Sequence, residues 1–275
     1  GEARHPGAVC SIISRTPTPN RLPGRETALE RAYAKIEKGT IQLGNRWLER
    51  RWNAFMGTTT ELLRLPEGSD CLARKSPEFH LDLDGRAIAA QDLGDIGWSD
   101  NSDSHSASVV LSLSGPGLVL QLETVMLHRF PGLIRTLSVT NTSGTGATVT
   151  RAAVDVLPLL PGEFQAHAAT APRLTLPSQG DSIHYAALKG SSDVLLIGAY
   201  RKARFVLFDP NPAYCAAVWE GSALVPPGKT WRAPATTLYW TRSTSDAAIQ
   251  AELTAFHQGW EVRKAAEGGF HPSRN

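Results

Sequence analysis

The 275-residue chain reads as an all-β antiparallel sandwich with a short helix at each end. Three observations predict this. Roughly a dozen short segments with strand-like apolar patterning follow one another from residue 41 onward. Turn residues such as Asp84-Gly85, Gly115-Pro116-Gly117 and Thr142-Ser143-Gly144 separate them. Almost no helical periodicity lies between the segments, whereas parallel βαβ winding needs a helix after nearly every strand. All-β sandwiches run to ~200–250 residues as one unit, so a single large core accommodates the length.

In chain order, residues 1–24 contain Pro6, Pro17, Pro19 and Pro23 without periodicity and predict an extended arm. The sandwich unit is expected over 25–244, opened by a helix over 25–39. There Ala28, Leu29, Ala32, Tyr33 and Ile36 share one helical face and Gly39 caps the end. Strands follow from Ile41 and Leu43 through the Gly44-Asn45 turn to Trp47 and Leu48, and then at Glu61–Leu65. Glu78–Leu83 alternates with Phe79, Leu81 and Leu83 on one face and Glu78, His80 and Asp82 on the other. Residues 92–106 are polar and predict a long loop carrying Trp98. Further strands fit Ser108–Ser114, Leu118–Leu127, Arg135–Asn141, Ala147–Leu157, Ser182–Leu188, Val194–Ala199, Phe205–Phe208, Tyr214–Trp219 and Thr236–Trp240. From Ser245 the spacing of Ala247, Ile249, Leu253, Phe256 and Trp260 predicts a C-terminal helix capped by Ser245 or Asp246, with a frayed tail to residue 275.

Composition narrows the function classes. Apolar residues at 41% and charged residues at 20% are ordinary for a folded globular chain. A formal net charge of +2 with scattered basic residues does not point to nucleic acid. No apolar run reaches the ~18–20 residues that cross a bilayer, so no membrane partner is expected. The chain begins at Gly1 with no visible signal peptide, which leaves room for a removed segment, and an extracytoplasmic setting is favoured over a cytoplasmic one. Cys10, Cys71 and Cys215 have no metal-ligand spacing and allow at most one disulfide within the chain. Free structural thiols, no metal and no cofactor are expected. No phosphate-binding glycine loop, GxSxG elbow or HExxH is present.

Three segments carry a family resemblance: LGNRWLERRWN at 43–53, SPEFHLDLDG at 76–85 and GLVLQLETVMLHRFPGLIRTLSVTNTSG at 117–144, with AAVDVLPLLPG at 152–162 as a continuation. Together they resemble the N-terminal domain of the α-galactosidase-type glycoside hydrolases, family 36 and its relatives. The resemblance covers about residues 40–240. It implies a two-sheet antiparallel β-supersandwich of the galactose mutarotase-like kind. In that family the domain precedes a (β/α)8 barrel, which holds the catalytic carboxylates. The expectation is therefore a carbohydrate-associated, non-catalytic domain that works beside a barrel on another domain or subunit, as a possible homo-oligomer.

Sugar recognition needs an aromatic face and flanking polar groups. Strand alternation in RWLERRWN puts Trp47, Glu49 and Arg51 on one face and Leu48, Arg50 and Trp52 on the other. Candidate binding residues are Glu49, Arg51, Trp52, Trp98, Glu123, His128 and Arg135; no pair of carboxylates is assigned a catalytic role. The bland alternative makes Trp47 and Trp52 core or interface residues with arginines stacked on them. A second class is a mutarotase-, epimerase- or lyase-type enzyme using His105 and His184 with Glu220 or Glu123 for proton transfer. A third is a structural oligomerisation module.

Overall fold

A computed structural model of the chain describes residues 31–160, 165–167, 173–175, 182–190, 192–200, 204–207, 214–243 and 245–266. The arm over 1–24, the first part of the expected N-terminal helix, Cys10 and the tail beyond residue 266 lie outside the described residues. In chain order the strands are β1 (Tyr33–Glu37), β2 (Thr40–Gly44), β3 (Leu48–Asn53), β4 (Thr58–Arg64), β5 (Ser69–Asp70), β6 (Phe79–Leu83), β7 (Arg86–Ile88), β8 (Asp95–Asp100), β9 (Ser106–Gly115) and β10 (Leu118–Leu127). They continue as β11 (Gly132–Asn141), β12 (Ala147–Pro158), β13 (Gln165–His167), β14 (Arg173–Thr175), β15 (Ser182–Lys189), β16 (Val194–Tyr200), β17 (Arg204–Leu207), β18 (Tyr214–Val225), β19 (Thr230–Arg232) and β20 (Thr236–Thr241), before helix α1 (Asp246–Ala266).

Two expectations are corrected. Tyr33–Glu37 is not helical: it pairs antiparallel with β2 through a two-residue turn at Lys38-Gly39, where Gly39 takes φ +90°. The strand wins because it gives Tyr33 a long-range partner. Gly44 sits opposite Tyr33 and also opposite Glu49, and the Tyr33 hydroxyl crosses it to donate to the Glu49 carboxylate. A Cβ on Gly44 would lie 2.8 Å from that hydroxyl, so the crossing requires glycine. The second correction concerns residues 92–106. Asp95–Asp100 forms an edge strand on β9, and its polar composition reflects the solvent on one side. The other alternating segments fold as expected, including the Asp84-Gly85 hairpin, in which both residues take positive φ.

The strands form one ten-stranded sheet, with main path β13-β15-β16-β20-β11-β10-β9-β8, and two five-stranded sheets, β1 to β5 in sequence and β17-β18-β12-β6-β7. Side-chain parity shows how they stack. Leu120 and Leu122 of β10 pack with Phe79, Leu81, Val149 and Val154 of the second small sheet. Met126, on the same face of β10, packs with Ile41, Leu43, Leu48 and Trp52 of the first. Both small sheets therefore lie side by side on one face of the long sheet, and together they make the second layer of the supersandwich.

The opposite face of the long sheet carries α1. Ile249, Leu253, Phe256 and Trp260 form a stripe that buries Val125, Leu127, Ile134, Tyr185 and Leu196. Ser245 Oγ accepts the Ala248 N–H and caps the helix, while Arg263 and Lys264 complement its C-terminal dipole. No helix among the described residues is long and apolar enough to cross a membrane. Cys71 is a buried free thiol, and burial pushes its pKa up to about 12.

His257 lies wholly inside the helix–sheet interface, hydrogen-bonded to the Tyr185 hydroxyl. Burial, reinforced by the Lys264 charge, lowers its pKa to about 3. An unfolded histidine titrates near ~6.5 and so binds more protons than the folded one between the two values. Stability from this group is complete above ~pH 6.5 and drains as the pH falls toward the folded value. In chemical denaturation from pH 7 to pH 4 the His257 contribution to the slope of stability should be up to ~1.4 kcal/mol per pH unit. That slope should flatten in His257→Gln.

Candidate functional site: a closed charge knot and an open cleft

Four buried charges meet where the three sheets converge. Thr124, Arg135 and Thr236 are cross-strand neighbours on β10, β11 and β20, on the inner face of the long sheet. Arg50 and Thr59 come from the first small sheet, Asp155 from β12 of the second, and Glu78 from the residue just before its strand β6. Arg50 donates from Nη1 to Asp155 Oδ1 at 2.5 Å, from Nη2 to Glu78 Oε2 at 3.4 Å and from Nε to Thr59 Oγ1 at 2.8 Å. Arg135 repeats the pattern: Nη1 to Asp155 Oδ1 at 2.6 Å, Nη2 to Glu78 Oε2 and Nε to Thr124 Oγ1 at 3.1 Å. Trp52 Nε1 and the Thr59 N–H also donate to Glu78, and Thr236 Oγ1 donates to Asp155.

Local backbone chemistry aims these groups. Strand alternation turns Leu48, Arg50 and Trp52 inward together. Asp155 sits at φ +59° within an irregularity of the β12–β18 register, so the strand kinks where its carboxylate must point inward. The knot is neutral, with two guanidiniums and two carboxylates. Burial by itself pushes the Glu78 and Asp155 carboxyls up, but Arg135 and Arg50 outweigh it and hold both below the usual carboxylate range. Burial likewise opposes the charge on Arg135, and its two carboxylate partners overcome that.

The structure brings three of the sequence-derived candidates together, but not as a binding surface. Trp52 and Arg135 are buried in the knot. Trp98, half-buried, leans on Trp52 at 5.7 Å between ring centroids and donates its indole N–H to the Ala54 carbonyl. The other four lie apart. Glu49 is buried on the opposite face of β3, between Tyr33 and Arg51, and Arg51 extends to Glu61 at 2.7 Å. Glu123 is on the helix side of the long sheet, 3.3 Å from Arg263 and 3.2 Å from Ser108 Oγ. His128 Nδ1 accepts the Ala32 N–H at 3.1 Å. Glu78, placed by alternation on the face opposite Phe79, Leu81 and Leu83, is a buried member of the knot. His105 and His184 are also separated: His105 precedes β9 while His184 is on β15, five strand spacings or ~24 Å away across the long sheet.

An open cleft of about 910 Å³ lies elsewhere, at the end of the seam. One wall is Arg46-Trp47 and Arg64 to Ser69; the other is Asp193, Trp240 to Ser243 and Glu252 of α1. Two cation–π contacts line it. The Arg46 guanidinium lies 4.1 Å from the Trp47 ring centroid, and that of Arg64 lies 5.1 Å from Trp240. Ion pairs bridge the walls: Arg64 Nη1 to Asp193 Oδ2 at 3.0 Å, and Arg242 to Glu67. Asn45 positions the Trp47 segment, since its Oδ1 accepts the Trp47 and Leu48 N–H groups and its Nδ2 donates to the Phe130 carbonyl. Among the described residues no group of three or more His, Cys, Asp or Glu is arranged to hold a metal ion.

No family model and no curated protein sequence matches the chain. Solved structures do match in backbone. A galactose mutarotase-like protein from Clostridium acetobutylicum aligns with 77% of this chain and 98% of its own, at TM-score 0.51 and 10% identity. The galactosidase domain of an α-galactosidase–sucrose kinase aligns with 76% of this chain at TM-score 0.50 and 9% identity. The fold is galactose mutarotase-like.

A family 36 α-galactosidase from Geobacillus stearothermophilus aligns over 77% of this chain at TM-score 0.48 and 11% identity. The chain spans about two fifths of these galactosidase chains, 41% and 42% of their lengths. Within the mutarotase-like fold, residue-by-residue reading missed the cleft because its walls come from segments far apart in sequence. The one available signal was Trp47, weighed as a sugar-stacking face against a packed core or interface residue.

The knot generates a stability prediction. Arg50→Ala or Arg135→Ala leaves a buried carboxylate uncompensated and should cost ~3–5 kcal/mol in chemical denaturation. Arg51→Ala, which removes a partly exposed guanidinium and leaves Glu49 its bond from Tyr33, should cost less than either.

Proposed function

We propose that this chain is a carbohydrate-recognition domain that binds sugar in the cleft and serves as the non-catalytic part of a glycoside hydrolase, beside a catalytic barrel on another domain or subunit. The domain division that goes with this reading is the sandwich over 25–244, preceded by the segment 1–24 and followed by 245–275, whose helix α1 contributes Glu252 to the cleft. One observation carries the reading. The cleft combines two indole rings with guanidinium–carboxylate pairs, the groups that meet the apolar and hydroxyl-bearing sides of a pyranose. Its volume is in the ~300–1,000 Å³ range of small-molecule sites. The non-catalytic part of the reading draws on how the cleft carboxylates are engaged. Asp193 is held by Arg64, Glu67 by Arg242, and Glu252 by the Ser243 and Tyr239 hydroxyls. The galactosidase and mutarotase-like neighbours agree with this reading at the level of fold.

Titration calorimetry against a panel of galactosides and glucosides tests it. Wild-type protein should bind at least one oligosaccharide, and Trp47→Ala should weaken that binding about tenfold, equivalent to ~1.4 kcal/mol. A complete lack of heat with every glycan would rule the reading out.

The oligomerisation alternative draws on a different feature. Phe55 and Met56, 70% and 54% exposed, project from the β3–β4 turn. That turn is held rigid, because Asn53 Oδ1 accepts both of their N–H groups and Trp98 binds the Ala54 carbonyl. A rigid apolar tip suits contact with another protein surface. Sedimentation of wild type against the double variant Phe55→Ser, Met56→Ser should show self-association lost in the variant if this reading holds. A wild-type monomer at high concentration would eliminate it.

A further inference from the structure

Among the described residues three arginines and three carboxylates line the cleft, Arg46, Arg64 and Arg242 against Glu67, Asp193 and Glu252, so their formal charges cancel. Two of the arginines are also neutralised pairwise across the walls. Arg64 reaches from the end of β4 to Asp193 just before β16, and Arg242, just past β20, meets Glu67 in the β4–β5 turn. Arg46 is stacked on Trp47, and Glu252 accepts from two hydroxyls. This arrangement discriminates between ligands by charge. A ligand carboxylate or phosphate would have to share an arginine with its carboxylate partner, and would face the like charges of Glu67 and Glu252 as it did so. A hydroxyl requires no such separation. It donates and accepts at once, so it can bridge an arginine N–H and the oxygen of the partner carboxylate while the pair stays intact.

We infer that the cleft is a neutral-sugar site: it takes uncharged pyranosides through hydroxyls set against the Arg242–Glu67 pair and discriminates against uronates and sugar phosphates. The inference rests on the carbohydrate reading above and adds the ligand class. Glu67 sets the balance. It is the rim partner, half-exposed, and its side chain belongs to neither the core nor the knot, so it can be changed without disturbing either. Glu67→Gln leaves the cleft with one positive charge in excess while keeping a group that can accept from Arg242.

The test is calorimetry at low ionic strength with neutral α-galacto-oligosaccharides and oligogalacturonates of equal length, on wild type and Glu67→Gln. Wild type should prefer the neutral series at least tenfold, and Glu67→Gln should narrow that ratio at least threefold by gaining affinity for the uronates. A merely structural role for Glu67 would weaken both series alike. Wild type binding uronates as tightly as neutral glycans, or a preference for neutral glycans that Glu67→Gln leaves unchanged, would overturn the inference while leaving the carbohydrate reading standing. Failure of both series to bind wild type would overturn the two together.

Discussion

Two arginines and two carboxylates, buried together and closed on themselves, hold the layers of this protein in register. Each guanidinium spends one terminal nitrogen on Asp155, the other on Glu78 and its Nε on a threonine, so each arginine touches both carboxylates. Because the four residues come from three sheets, no sheet can slide against another without opening a buried ion pair. Such a network does not make the fold more stable than a well-packed apolar seam would. What it supplies is geometry, since guanidinium and carboxylate accept few relative orientations.

That constraint explains features that otherwise look like defects. Asp155 is a non-glycine residue at positive φ inside a strand, and the register irregularity there turns its carboxylate inward. Trp52, the largest fully buried side chain, is fixed through its indole N–H to Glu78 and against Trp98. With every guanidinium nitrogen bonded inside the knot and all four charged side chains buried, the knot is closed to solvent. The cleft at the end of the same seam is open to solvent and carries its charges on side chains that run from buried Asp193 and largely buried Arg64 to exposed Glu67 and Arg242. The knot is sealed and the cleft opens to solvent, so their charged residues differ in access rather than in kind.

Much of the fold was legible in the sequence because local alternation and turn chemistry agree with it. Phe79 and Leu81 face the core as their spacing requires, Asp84-Gly85 makes its hairpin, and Ile249 to Trp260 form the stripe of α1. Tyr33 and Ile36 misled because a spacing of three suits a helix face, while the partner that decides the matter, Glu49, is 16 residues away. Residues 95–100 misled because an edge strand is as polar as a loop. The knot was hidden by distance: Arg50 and Asp155 are 105 residues apart, and each alone resembles a solvated strand charge. Two local hints were present, an arginine between Leu48 and Trp52 on the inward face and an aspartate within the apolar run Ala152 to Leu157. Both announce a buried charge that needs a partner. The cleft left no comparable trace, because nothing in a sequence pairs Arg242 with Glu67, 175 residues earlier.

The central claim is a division of labour, with the knot closed and structural and the cleft open and ligand-binding. A crystal structure of the protein with its best-binding neutral oligosaccharide tests it most directly. The account predicts a sugar ring between Trp47 and Trp240, with hydroxyls at Arg242 and Glu67 and the knot unchanged. Sugar bound at the Trp98 side of the molecule, or an opened knot with Arg135 turned onto the ligand, would contradict it.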